Sequence, residues 1–141
     1  MSDLTYENPW VYNGQILQSE DITEYVGMVY LLKNTINNKQ YIGKKFFWTK
    51  AYRSIKGKRK RVKVESDWKK YYGSSNKLAA DIEEIGVDKI ERHVLLLCNT
   101  KTQCAYYELK EQVERNVLLR EAYYNEFVGG KINGRHLEEL K

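Results

Sequence analysis

The chain has 141 residues, enough for one domain with a hydrophobic core and short for two. An apolar share of 42% argues against wholesale disorder, and a net charge of +5 favours a polyanionic partner without requiring one. No stretch approaches the roughly 20 apolar residues of a membrane span, and the first residues lack the basic and apolar regions of a secretory leader. The two cysteines, Cys98 and Cys104, together with two distant histidines, fall short of a four-ligand zinc site. They read as reduced thiols, which sets the chain in a cytosol.

Residues 1–26 are polar and aromatic, hold the only proline, Pro9, and read as an N-terminal extension with a short strand or turn at Val11–Leu17. From Gly27 the character changes. Met28–Leu32 is an apolar run that suits a buried strand, Asn34–Asn38 is dense in turn formers, and Lys39–Lys44 predicts a second strand that pairs back on the first. That strand is expected to end at Gly43, where a backbone without Cβ can kink. Residues 44–70 are basic and aromatic without clear periodicity, and are expected to be a long loop or mobile hairpin. Ser66 or Asp67 would cap a short helix over Trp68–Tyr72, and Asn76 would cap a helix over Lys77–Ile85 that Gly86 stops. Ile90–Leu97 predicts a third strand. Thr100 or Thr102 would open the longest helix, Gln103–Leu119, with Ala105, Leu109, Gln112, Val113 and Val117 at helical spacing. A turn-rich tail follows, with glycines at 129, 130 and 134. The expected fold is α+β: a small three-stranded antiparallel sheet, opened by a β-hairpin and flanked by helices.

The hairpin carries Met28-Val29-Tyr30 on one strand and Tyr41-Ile42-Gly43 on the other, separated by an Asn-rich turn. This pattern resembles the GIY-YIG nuclease family, whose signature is two tyrosine-bearing strand motifs about ten residues apart. The second motif is intact; the first reads Met-Val-Tyr, with Gly27 one place early. The resemblance covers residues 27–125 as a catalytic domain, with a basic insertion at about 44–70 and a C-terminal tail over 126–141.

Hydrolysis of a phosphodiester needs a group to deprotonate water, positive charge on the phosphoryl oxygens and help for the leaving oxygen. The resemblance implies that Tyr30 or Tyr41 is the general base and that the other orients water and phosphate; as a bare pattern, the two also fit a cross-strand aromatic pair. It implies that Glu108, early in the last helix, is the metal ligand, ahead of Glu111 and Glu114. One carboxylate suits Mg2+ (or Mn2+), which keeps several waters. Asn125 resembles the Asn that closes the family's active-site wall. The family's helical arginine has no equivalent at the expected spacing, so the phosphate-binding cation is expected to be Arg53, Lys44 or Lys45.

Lys56, Lys58, Arg59, Lys60, Arg61 and Lys63 form the clearest nucleic-acid feature, flanked by Trp48 and by Trp68, Lys69 and Lys70. Such a run attracts a phosphate backbone through counterion release. His93 and His136 read as structural or surface residues. The expected function is metal-dependent endonuclease action on double-stranded DNA, of the homing type found in phages and mobile elements, in the host cytosol if phage-encoded. Specificity would come from residues 1–26, the basic insertion or a homodimer. A non-catalytic DNA-binding module that keeps the fold is the alternative.

Overall fold

A computed structural model describes residues 5–128 and the backbone of 132–133. The glycines of the tail and His136 lie outside the described residues. The elements are β1 (Val11–Tyr12), β2 (Gln15–Ile16), β3 (Gly27–Asn34), β4 (Gln40–Phe46), β5 (Trp48–Ile55), β6 (Lys58–Glu65), α1 (Asn76–Ile85), β7 (Ile90–Cys98), α2 (Lys101–Glu114), β8 (Phe127–Val128) and β9 (Ile132–Asn133), with single 3-10 turns at Ser19–Asp21, Trp68–Lys70 and Val87–Lys89.

The class is α+β, as expected, but the sheet is larger and mixed. Its order is β2-β1-β7-β3-β4. The three predicted strands form the antiparallel part, β7-β3-β4, and β1 adds in parallel to β7. The apolar alternation of β3 sorts its side chains to two faces. Met28, Tyr30 and Leu32 pack with Trp10, Ile22, Trp68 and Leu78 on one side. Val29 packs with Ile42, Cys98, Cys104 and Val117 on the other, under α2. A bulge opposite Val29 and Tyr30 sharpens the local twist.

The N-terminal segment supplies core rather than cover. Trp10 is fully buried, lies 5.1 Å from the Tyr30 ring and donates its indole N–H to the Trp68 carbonyl at 2.7 Å. Arg92, also buried, fastens that segment down. Its guanidinium donates to the carbonyls of Glu7, Asn8, Lys69 and Tyr71 at 2.8–3.0 Å and stacks 4.3 Å from the Tyr72 ring. Carbonyl oxygens and aromatic faces together replace the water that a buried guanidinium loses.

Two local expectations need correction, and a third is narrowed. β4 runs through Gly43 to Phe46, so the glycine sits inside the strand. Of the two forms expected for the basic stretch it takes the hairpin, a paired ribbon, β5–β6, turned at Lys56-Gly57, where φ values of 52° and 76° make the tight turn that matches strand twist. The last helix stops at Glu114 and buries Cys104 and Gln112, while Val113 is exposed, because the chain bends away after Arg115 and Asn116 takes a left-handed φ of 54°. Caps follow simple chemistry. Ser75, not Asn76, accepts the Leu78 N–H at the start of α1, and Thr100 accepts the Gln103 N–H at the start of α2.

Candidate active site

Tyr30 and Gly43 stand directly opposite each other across the β3–β4 pair. A Cβ added at position 43 would lie 2.5 Å from the Tyr30 hydroxyl oxygen and 2.7 Å from Cζ. The tyrosine therefore lies over a gap that only glycine leaves, and its hydroxyl reaches the sheet's edge strand. Tyr41 sits two residues earlier on the same face, with its ring centroid 6.3 Å from that of Tyr30 and its hydroxyl 2.9 Å from Ser74 Oγ. Lys44 projects from the opposite face of β4 and its Nζ meets Glu108 Oε1 at 3.1 Å. Residues of both faces thus converge around one strand. Tyr30, Tyr41, Lys44, Lys45, Ser74 and Glu108 line a single cleft of about 380 Å³.

The edge is open only where the cleft needs it. Asn125, buried, accepts the Ile42 N–H at 3.0 Å and donates to the Ile42 carbonyl at 2.8 Å, as a neighbouring strand would. Gln112 Nε2 donates to the same carbonyl at 3.1 Å, and Tyr124 N–H bonds to the Gln40 carbonyl at 2.7 Å. Coverage therefore extends through Ile42, and the lysines beyond it are free to reach Glu108 and Asp67. Lys45 Nζ lies 2.7 Å from Asp67 Oδ1 and 4.2 Å above the Tyr71 ring. That ammonium holds the Asp67 carboxyl below the usual carboxylate range.

Burial, with the Tyr71 and Tyr41 hydroxyls close by, pushes the Tyr30 phenol well above the ordinary tyrosine range. Burial also raises Tyr41; its contact with Ser74 opposes the shift, and Tyr71 and Glu108 add to it. Both phenols hold their protons at neutral pH unless positive charge enters the cleft.

Arg53 lies on the exposed β5–β6 ribbon, opposite Lys60, and does not line the cleft. Lys56, Lys58, Arg59, Lys60, Arg61 and Lys63 are all exposed on the ribbon. The expectation that Trp68 contacts nucleic acid is overturned. It is fully buried, because its ring fills the core between Phe47 and Tyr6 and its indole N–H is spent on Glu65. Lys69 lies over the Tyr6 ring at 5.4 Å and Lys70 is exposed. Glu111 and Glu114 are engaged elsewhere, with Arg115 at 3.0 Å and Lys110 at 3.2 Å. His93 stands at the surface, 3.0 Å from Glu91. Ser74 and the cleft role of Gln112 were not foreseen. A lone serine before a helix carries no signal beyond capping, and a glutamine in an apolar stripe reads as filler.

Among the described residues no three His, Cys, Asp or Glu side chains gather into a metal-binding group. Glu108 is the carboxylate of the cleft, with its side chain 15% exposed. It shares a second cleft, of about 370 Å³, with Tyr41, Lys44 and Gln112, whose buried Oε1 has no hydrogen-bond partner. One carboxylate in an open cleft fits a hard divalent ion that retains most of its water.

Paired strand tyrosines and a helix glutamate thus line one cleft at the sheet edge of an α+β domain. The family model described as "Putative endonuclease segE, GIY-YIG domain" matches residues 10–128, most of the chain, and the protein belongs to the GIY-YIG nuclease family. Comparison with curated proteins and with solved structures gave no match. No helix among the described residues is long and apolar enough to cross a membrane.

Proposed function

We propose that this protein is a metal-dependent endonuclease that hydrolyses phosphodiester bonds in DNA. The observation that supports it best is the convergence of Tyr30, Tyr41, Lys44, Lys45 and Glu108 on one cleft, drawn from both faces of the sheet. Lys44 and Lys45 receive the phosphate oxygens. Tyr41, the less buried phenol, takes the proton of the attacking water; Tyr30, 1% exposed, is held rigid and orients the phosphate. Glu108 is the group that would hold magnesium or manganese. Such an ion supplies positive charge to the phosphoryl and leaving oxygens and favours the phenolate. Within nucleases we place the chain with the compact homing-type enzymes of phages and mobile elements. A homodimer is the simplest way for one such cleft per chain to cut both strands.

One observation favours the alternative, a DNA-binding module without turnover. Arginine is absent from the described lining of the cleft, and Lys44 already occupies Glu108. The deciding experiment follows nicking of supercoiled plasmid with magnesium, manganese or EDTA, in wild type and Glu108→Ala, alongside DNA binding by anisotropy. Metal-dependent cutting that falls on the order of 100-fold or more in the variant, with affinity kept, is the expected result. Undiminished cutting by the variant would overturn the role of Glu108. Salt-sensitive binding with no cutting of any substrate would establish the binding module.

A further inference from the structure

Beside the tyrosine cleft, and sharing Phe46, Trp48 and Thr49 with it, lies a larger cleft of about 680 Å³. It opens between residues 23–26, the base of the β5–β6 ribbon and the first residue of α2. Tyr25, Phe46 and Trp48 give it aromatic walls. Lys50, Arg61, Lys63 and Lys101 give it positive charge, against one acid, Glu24. Among the described residues none of these five charged groups is in an ion pair. Two of the cations rest on rings instead: Lys63 Nζ is 4.8 Å from the Trp48 centroid and Lys101 Nζ 5.3 Å from that of Phe46.

The ribbon continues this pattern outward. Lys50 faces Lys63 and Tyr52 faces Arg61, and directly opposed residues share a face of a strand pair. Trp48, Lys50 and Tyr52 therefore lie on one face with Arg59, Arg61, Lys63 and one acid, Glu65, whose carboxylate is taken up by the Trp68 indole N–H and the Ser19 hydroxyl. Tyr52 is 58% exposed and carries the Arg59 guanidinium 4.3 Å over its ring. The two rings of this face stand four residues apart, roughly 14 Å along the strand, with cations between them.

Duplex DNA offers phosphates and groove edges, and its base faces are covered by their neighbours. A ring recessed in a cleft can stack only on a base that has left its duplex. We propose that this cleft and ribbon face bind a single-stranded stretch of DNA next to the bond that is cut, with a base on Trp48 and phosphates on Lys50, Lys63 and Lys101. A base arriving at Trp48 displaces the Lys63 ammonium from the ring and leaves it free for the adjoining phosphate. The proposal rests on the nuclease reading of the tyrosine cleft and names its substrate class: DNA with unpaired nucleotides beside the cleaved bond.

Trp48 is its own reporter, since the other two tryptophans, Trp10 and Trp68, are fully buried. The intact chain, in EDTA, is titrated with an oligothymidylate of about ten nucleotides and with a mixed-sequence duplex of the same length. Tryptophan emission and anisotropy are followed for wild type, Trp48→Phe and the surface variant Lys101→Glu. The oligothymidylate is expected to quench emission and the duplex to leave it nearly unchanged. Trp48→Phe removes the quench and weakens oligothymidylate binding about tenfold; Lys101→Glu weakens it while the melting temperature stays put. Equal quenching by both DNAs, or wild-type oligothymidylate affinity in both variants, overturns the proposal. The metal-free format separates the two readings. A chain that cuts plasmid but ignores oligothymidylate refutes only the single-strand track. One that binds oligothymidylate through Trp48 and cuts nothing keeps the track and refutes the nuclease.

Discussion

Two tyrosines of the candidate site each make a prediction. Tyr30 needs the space that Gly43 leaves, because the methyl of Gly43→Ala would stand 2.5 Å from its hydroxyl oxygen. That variant should lose about 1–3 kcal/mol of stability through overpacking and misplace the phenol, seen as a lower urea midpoint with cutting reduced further than the stability loss explains. Tyr41 makes a prediction about pH. Its phenol pKa is raised chiefly by burial, so around neutrality the phenolate is a minor form that grows tenfold per pH unit. Cleavage should climb with pH from about 7 to about 9, and Tyr41→Phe should flatten that profile. A flat wild-type profile would move the base elsewhere. The alkaline limit comes from the fold. Tyr30 has a folded pKa raised well above the ordinary value, so its stability contribution is complete below the unfolded pKa, near 10, and is lost as pH rises through the folded one.

At the level of elements, the strand β4 both carries the candidate site and forms the sheet edge, and Asn125 guards it. Asn125→Ala removes two hydrogen bonds and leaves the buried Ile42 N–H without its acceptor, which should cost about 1–3 kcal/mol. Hydrogen exchange at Ile42 is the sensitive readout, rising before global unfolding does. The hairpin that carries the tyrosines was legible, because an alternating apolar pattern, an Asn-rich turn and paired motifs all point to the same register. Glu108 was legible as a candidate, but its meeting with Lys44 was not. That contact needs α2 to lie under the face of β4 opposite the tyrosines, which no local spacing encodes. The ribbon was legible only as one of two alternatives, loop or hairpin, for a different reason. Lys and Arg are weak strand formers and are charged on both faces, so the period of two is hidden; its pairing is set by the Lys56-Gly57 turn and by rings that each carry a cation. Trp68 was misread because its neighbours in sequence are lysines, while its neighbours in space are Trp10, Tyr6 and Phe47.

For the whole molecule, the ribbon and the core are nearly separate in their energetics. Trp48 at the ribbon's base is partly buried, whereas most of β5 and β6 beyond it is exposed and pairs only with itself. Replacing residues 50–63 by a two-residue turn should therefore leave the melting temperature within a few degrees of wild type. The same deletion should flatten the dependence of DNA affinity on salt, since each cation removed takes roughly one released counterion with it. A collapse of the fold on deletion would show that the ribbon is part of the core after all.

The clasp around Arg92 gives the molecule a timetable. On a ribosome, Trp10 emerges before its partners: the carbonyl that receives its indole N–H comes 58 residues later, and the guanidinium that binds the Asn8 carbonyl comes 84 residues after Asn8. The tyrosine hairpin is synthesised in between, so it must wait as a half-built surface with its inner face wet. The wall behind Tyr30 closes only when β7 appears and draws residues 7–11 onto it. Nascent chains halted just before Arg92 should therefore leave Trp10 open to a water-borne quencher even though both tyrosine motifs are already made.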